Sequence, residues 1–194
     1  MELFFRRFYA LPVGLLLAAL CAACAAEPGE VLPLESYQDP SGRYALSVPK
    51  GWQTTTSPDG SLLTLTPTDY SGAETDLRVL VFAAPTTSLD TSEHVEEAKL
   101  LIKPFLEAHL DESYEVINQG ETKVDKVPAL LIDYAKPYQD TYLTGRLVIV
   151  AVPGYALAFL GLAERGAWEA FLPTFRALLA DFHLSPVYES TAQP

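Results

Sequence analysis

Asp90, Glu93, His94 and Glu97 are spaced so that a helix would gather them on one face at its start. An imidazole among carboxylates is a donor set for Zn²⁺ or Mn²⁺, with Asp90, His94 and Glu97 as the candidate ligands. The same residues also serve a simpler purpose, because carboxylates in a first helical turn cap its free N–H groups and offset the positive end of its dipole. The simpler reading of a solvated helix start is the stronger one, so no cofactor is expected and a metal is the alternative. A second cluster is aromatic. Tyr134, Tyr138 and Tyr142 surround Lys136-Pro137-Tyr138-Gln139-Asp140, and a hairpin tip with these rings suits contact with a protein or glycan. Tyrosine is equally an ordinary strand residue; Tyr138 and Tyr142 are the candidate contact residues.

Catalytic constellations are harder to assemble. The chain holds no Gly-x-Ser-x-Gly, no His-Glu-x-x-His and no glycine-rich phosphate loop. His109 continues an apolar helical face and His183 follows Phe182 at a helix end, so structural roles are expected for both. The expectation is a protein that is not an enzyme. A hydrolase with a scattered triad is the least favoured alternative.

The two cysteines, Cys21 and Cys24, lie in a segment of a different kind. Arg6 and Arg7 precede an apolar run from Phe8 to Leu20, which ends in small residues. This is the pattern of an export signal. The run is interrupted by Pro12 and falls short of the ~20 apolar residues that a spanning helix needs. Ala22-Ala23-Cys24 resembles a lipobox at the two positions nearest the cysteine, with Cys21 where leucine is usual; Cys24 is then the acylated residue. Ala23-Cys24-Ala25 also suits simple secretion, and the paired arginines match a twin-arginine signal in nothing beyond the pair. The expected organisation is a signal over 1–24, of lipoprotein type, and a short acidic spacer over 25–36. A folded domain over 37–184 and a tail over 185–194 follow. The protein is expected outside the cytoplasm, tethered by its acyl chain or free as a secreted or periplasmic protein.

The formal charge is −12 at pH 7, and removing the signal deletes one acidic and two basic residues, so the body is more acidic still. Nucleic acid is excluded as a partner on charge, and charge alone will not hold the chain on anionic headgroups. Membrane attachment would come through the acyl anchor. The body lacks cysteine, so its core must hold it without a disulfide.

The elements that position these residues are legible in the periodicity. Arg43 to Val48 alternates between the turns at Asp39-Pro40-Ser41-Gly42 and Pro49-Lys50-Gly51-Trp52. Ser61 to Thr66 and Asp76 to Ala83 also read as strands. From Thr91 to His109, Val95, Ala98, Ile102, Phe105 and Leu106 recur at helical spacing, with Pro104 expected to bend the helix. Strands follow at 114–122, 127–135, 142–152 and 155–162, joined by turns at Asp125-Lys126 and Pro153-Gly154. A last helix over 166–181 carries the stripe Trp168, Phe171, Leu172, Phe175, Leu178, Leu179 and Phe182, with Pro173 expected to kink or restart it. Trp52 and Trp168 are expected as core anchors. Strands, helix, strands, helix without βαβ alternation is an α+β order: an antiparallel sheet packed with helices.

Three stretches carry a family resemblance. Tyr37-x-Asp39, then Gly42-Arg43-Tyr44-x-Leu46-x-Val48-Pro49-x-Gly51-Trp52, resembles the opening of PsbP-like domains. That Mog-type group includes photosystem II PsbP, the Ran-binding Mog protein and the bacterial lipoprotein DcrB. Gly120-x-x-x-Val124-Asp125-x-Val127-Pro128-Ala129 resembles a hairpin of the group. The stripe from Trp168 to Phe182 is similar to the final helix of bacterial members, which ends before a short last strand. The resemblance covers about residues 37 to 184 and implies an α/β/α sandwich. It also implies a binding or assembly-supporting role rather than a reaction, and members have been associated with divalent ions. Together these expectations describe an extracytoplasmic, lipid-anchored domain that binds an unidentified protein partner at a membrane face. The acidic surface favours a basic partner, with the first helix and the 136–142 hairpin as candidate faces.

Overall fold

The structure is a computed structural model that describes residues 29–85, 94–152 and 154–184, with the backbone alone for 94–96. Among the described residues, ten strands and two helices form an α+β sandwich built on two antiparallel sheets. In chain order they are β1 (Leu34–Gln38), β2 (Tyr44–Pro49), β3 (Gln53–Thr56), β4 (Leu62–Thr66), β5 (Arg78–Pro85), α1 (His94–His109), β6 (Glu115–Val124), β7 (Val127–Tyr138), β8 (Thr141–Val152), β9 (Tyr155–Glu164), α2 (Arg165–Ala180) and β10 (His183–Leu184). The large sheet runs β3-β4-β5-β9-β8-β7-β6 and the small one β1-β2-β10.

Hydrophobic patterning explains the layering. β9, YALAFLGLAE, is buried at eight successive positions, the near-continuous apolar run of a strand covered on both faces. One face of the large sheet packs Leu80, Leu130, Leu147, Ile149 and Leu160 against Ala98, Ile102 and Phe105 of α1. The opposite face packs Leu65, Val81, Val148, Val150 and Phe159 against Trp168, Phe171, Phe175 and Leu178 of α2, together with Tyr44, Leu46 and Val48 of the small sheet. Trp168 seats on Gly161: a Cβ there would meet the indole ring at 2.4 Å. Trp52 stacks on Phe171 with centroids 5.0 Å apart, so both tryptophans are packing residues as expected.

Several details differ from the sequence reading. Strand β1 begins inside the stretch read as spacer, because Leu34 to Ser36 pair with Pro49 to Ser47 of β2. Its burial is too shallow to leave a periodic signal. The exposed polar strand β3 was silent for the same reason. Pro104 and Pro173 each sit inside a helix that continues as a single element, so Pro173 does not restart the last helix. Strands β7 and β8 extend to Tyr138 and Thr141, so the hairpin tip shrinks to Gln139-Asp140. Asp125 and Lys126 take φ of 47° and 67°, the left-handed pair of a tight two-residue hairpin turn.

Candidate functional site

The β7–β8 hairpin displays two chemically different faces. Along β8, Tyr142, Thr144 and Arg146 occupy alternate positions and share the face that carries Val148 and Val150 toward α2. Their cross-strand partners on β7 are Pro137, Ala135 and Asp133. Helix α2 begins at Arg165 and covers this face only in part, leaving a cleft of about 340 Å³. Ile117, Tyr142, Thr144, Arg146, Arg165 and Trp168 contribute to its walls. Ile117 is 62% exposed and Tyr142 47%, large apolar surfaces left outside the core. Small Ala135 opposite Thr144 leaves the floor open.

Electrostatics in the cleft centre on Arg146. Its Nε and Nη2 donate to the two oxygens of Asp133 at 2.6 and 2.9 Å, and Asn118 donates to the same carboxylate at 3.2 Å. Burial pushes the Asp133 carboxyl up; the hydrogen bonds from Arg146 and Asn118, with the charges of Arg146 and Arg176, outweigh it and hold the group below its ordinary value. Arg165 Nε donates to Glu169 at 2.8 Å on the exposed rim. The Thr144 hydroxyl is buried and has no hydrogen-bond partner in the protein. Beyond Arg146 the open strip continues into a second cavity of about 500 Å³, bordered by Asn118, Gly120, Leu131, Arg176 and Leu179.

The opposite face of the hairpin is closed. Lys136 is 6% exposed, its Nζ donating to Asp111 at 2.8 Å and also to Glu74, and it lies 4.7 Å from the centre of the Tyr114 ring. Burial pushes the ammonium down, and its hydrogen bonds to Asp111 and Glu74 carry it above its ordinary value. Asp111 is held down to about 2, chiefly by the Lys136 bond and then by Ser113.

The candidate tyrosines separate across these faces. Tyr138 pairs with Thr141 and Tyr142 with Pro137, so Tyr138 lies on the Lys136 face and Tyr142 on the cleft face. They cannot form one patch. Asp90, the His94 side chain and Cys24 lie outside the described residues. Glu97 is half-buried on α1, and among the described residues no group of three or more His, Cys, Asp and Glu is placed to hold a metal ion. His109 packs its ring 4.9 Å from Phe105; burial, then the charge of Arg78, pushes its pKa down. His183 is exposed, with Nδ1 3.7 Å from Asp125. Thr144, Arg146 and Arg165 were missed by the sequence reading. A signal was present: Tyr142-x-Thr144-x-Arg146 places polar groups on the same strand face as the apolar Val148 and Val150.

Comparison with known proteins follows the fold. The family model described as PsbP matches residues 33–183. The chain is similar to the solution structure of cyanobacterial PsbP (CyanoP) from Synechocystis sp. PCC 6803, with a TM-score of 0.55 and 13% identity over 80% of this chain and 94% of that one. It is similar also to LpqN of Mycobacterium tuberculosis, described as involved in cell envelope biogenesis, with a TM-score of 0.58 and 10% identity over 82% and 99% of the two chains. A Bacteroides thetaiotaomicron structure aligns at a TM-score of 0.51 and 12% identity, over 77% of this chain and 48% of that one. At these identities the likeness is one of fold. No curated protein matches the chain in sequence.

Proposed function

Because the chain belongs to the PsbP family, we propose that it is an extracytoplasmic, lipid-anchored, non-enzymatic domain that binds a protein partner at the membrane face. The observation that carries this reading is the open cleft at the start of α2, where half-exposed Tyr142 and exposed Ile117 lie beside Arg146 and Arg165. Exposed aromatic and aliphatic surface next to arginine is the composition of binding hot spots. LpqN, described as involved in cell envelope biogenesis, supports an envelope location by analogy of fold.

Tether geometry supports the same orientation. Gly29 lies directly against Ala170 of α2, where an added Cβ would meet the carbonyl oxygen at 2.1 Å, and the Leu32 amide donates to the Thr174 hydroxyl at 2.9 Å. Five residue steps separate Cys24 from Gly29 and span at most about 18 Å. An acyl group on Cys24 would therefore keep α2, and the cleft at its start, close to the bilayer. Among the described residues no helix is long and apolar enough to cross a membrane.

The test is the intact mass of the exported protein in membrane and soluble fractions, beside a Cys24→Ser variant. A diacylglyceryl-modified chain beginning at Cys24, released to the soluble fraction by Cys24→Ser, is expected. An unmodified chain beginning near Ala26 would remove the anchor from the proposal.

A further inference from the structure

The hydrogen-bonding groups of the cleft are unbalanced in one direction. Arg146 commits only Nε and one Nη2 hydrogen to Asp133, and a guanidinium carries five N–H donors. Arg165 commits Nε to Glu169 and is otherwise open on the rim. The cleft also holds two carboxylates, but Asp133 already receives donors from Arg146 and Asn118 and Glu169 receives Arg165.

A site with surplus donors suits a group that only accepts, and carboxylates and phosphates are such groups. The remaining walls are apolar. Ile117, the Tyr142 ring and the edge of Trp168 face the cleft, and from Arg146 the strip runs on past Leu131 and Leu179. At about 340 Å³ the cleft is at the small end of ligand sites, which run from roughly 300 to 1,000 Å³. It has room for a headgroup and the first carbons of a chain.

We propose that the cleft binds a small anionic amphiphile, its carboxylate or phosphate held by Arg146 and Arg165 and its apolar body laid on Ile117, Tyr142 and Trp168. The ligand uses the idle guanidinium donors without displacing the Asp133 pair. This goes beyond the partner reading, for the ligand binds with no protein partner present.

The experiment uses the exported protein carrying Cys24→Ser, so that no acyl chain of its own competes. Decanoate, decyl phosphate, decyl maltoside and decyltrimethylammonium are titrated below their micelle concentrations, by calorimetry and by tryptophan fluorescence. One or both anions are expected to bind at least tenfold more tightly than the neutral and cationic probes. Arg165→Gln is expected to weaken that binding by about tenfold, the scale of one hydrogen bond to a charged group, and Tyr142→Ala by a similar factor through lost apolar contact. Arg165 is exposed on the rim, so its variant keeps the fold, and the thermal melt of each variant verifies this. Preference for decanoate marks a fatty-acid type of ligand and preference for decyl phosphate a phosphomonoester; either supports the site. Failure of both anions to bind, equal binding of all four probes, or unchanged affinity in both variants overturns it. Such a failure leaves the partner reading standing if cross-linking from Tyr142 still succeeds, so the two proposals fail separately.

Discussion

Lys136 and Arg146 sit on one hairpin and point to opposite faces, and they end in different states. Lys136 is enclosed, with Glu74, Asp111 and the Tyr114 ring around it. Arg146 meets a single carboxylate and borders two cavities. Asp39 and Arg43 form the extreme of the closed kind: the residues are 2% and 8% exposed, joined by bonds of 2.8 and 2.9 Å, and Arg43 also donates to Gly60. A cation enclosed by its partners inside the fold acts on stability. One with idle donors beside an open cleft is available to a ligand.

Breaking the closed cations should therefore cost stability, in proportion to how completely their partners are buried. Arg43→Met would leave the buried Asp39 carboxylate with backbone N–H donors and no counter-charge, an expected loss of about 3–5 kcal/mol in urea unfolding. Gly161→Ala forces the Trp168 ring off the sheet, at about 2–3 kcal/mol by the same measurement. Because Trp168 also borders the cleft, this variant should disturb ligand binding as well. Lys136→Met should cost less, about 1–2 kcal/mol, because Glu74 and Asp111 are 44% and 58% exposed and regain water. At the open end of the scale, Arg165→Gln and Tyr142→Ala should leave the melting temperature unchanged while lowering binding.

Acid titration sharpens the same contrast. The Asp111 carboxyl is depressed from 3.8 to about 2, so its contribution is fully present above the ordinary carboxylate pKa and is lost as pH falls toward about 2. Lys136→Met removes the largest cause of that depression. Between pH 4 and 2 the variant should lose less stability than the wild type, as seen in urea midpoints measured across that range. Equal slopes would mean that the Lys136–Asp111 bond does not hold the carboxyl down.

What the sequence disclosed follows the range of the interactions involved. The stripe from Trp168 to Phe182 and the turn at Asp125-Lys126 are local patterns, and the structure has both. Strand β1 is visible only through its pairing with β2, since LESYQ is too exposed to show a period. The site depended on register. Tyr138 and Tyr142 lie four apart and look like neighbours, yet the two-residue tip with Tyr138 opposite Thr141 turns them to opposite faces. Arg146 finds Asp133 across the ladder, and Asn118 reaches the same carboxylate from β6, so the cleft is a product of three strands and a helix end. Tyr142 stood out from composition alone; Thr144 and Arg146 needed the pairing.

Site-specific photo-cross-linking in intact cells tests the central claim, with a photoreactive phenylalanine placed at Tyr142 in one strain and at Tyr138 in another. The account predicts a discrete adduct from position 142 that fades in Arg165→Gln, with none from position 138. Equal adducts from both positions, or an adduct only from 138, would contradict the assignment of the cleft as the binding face.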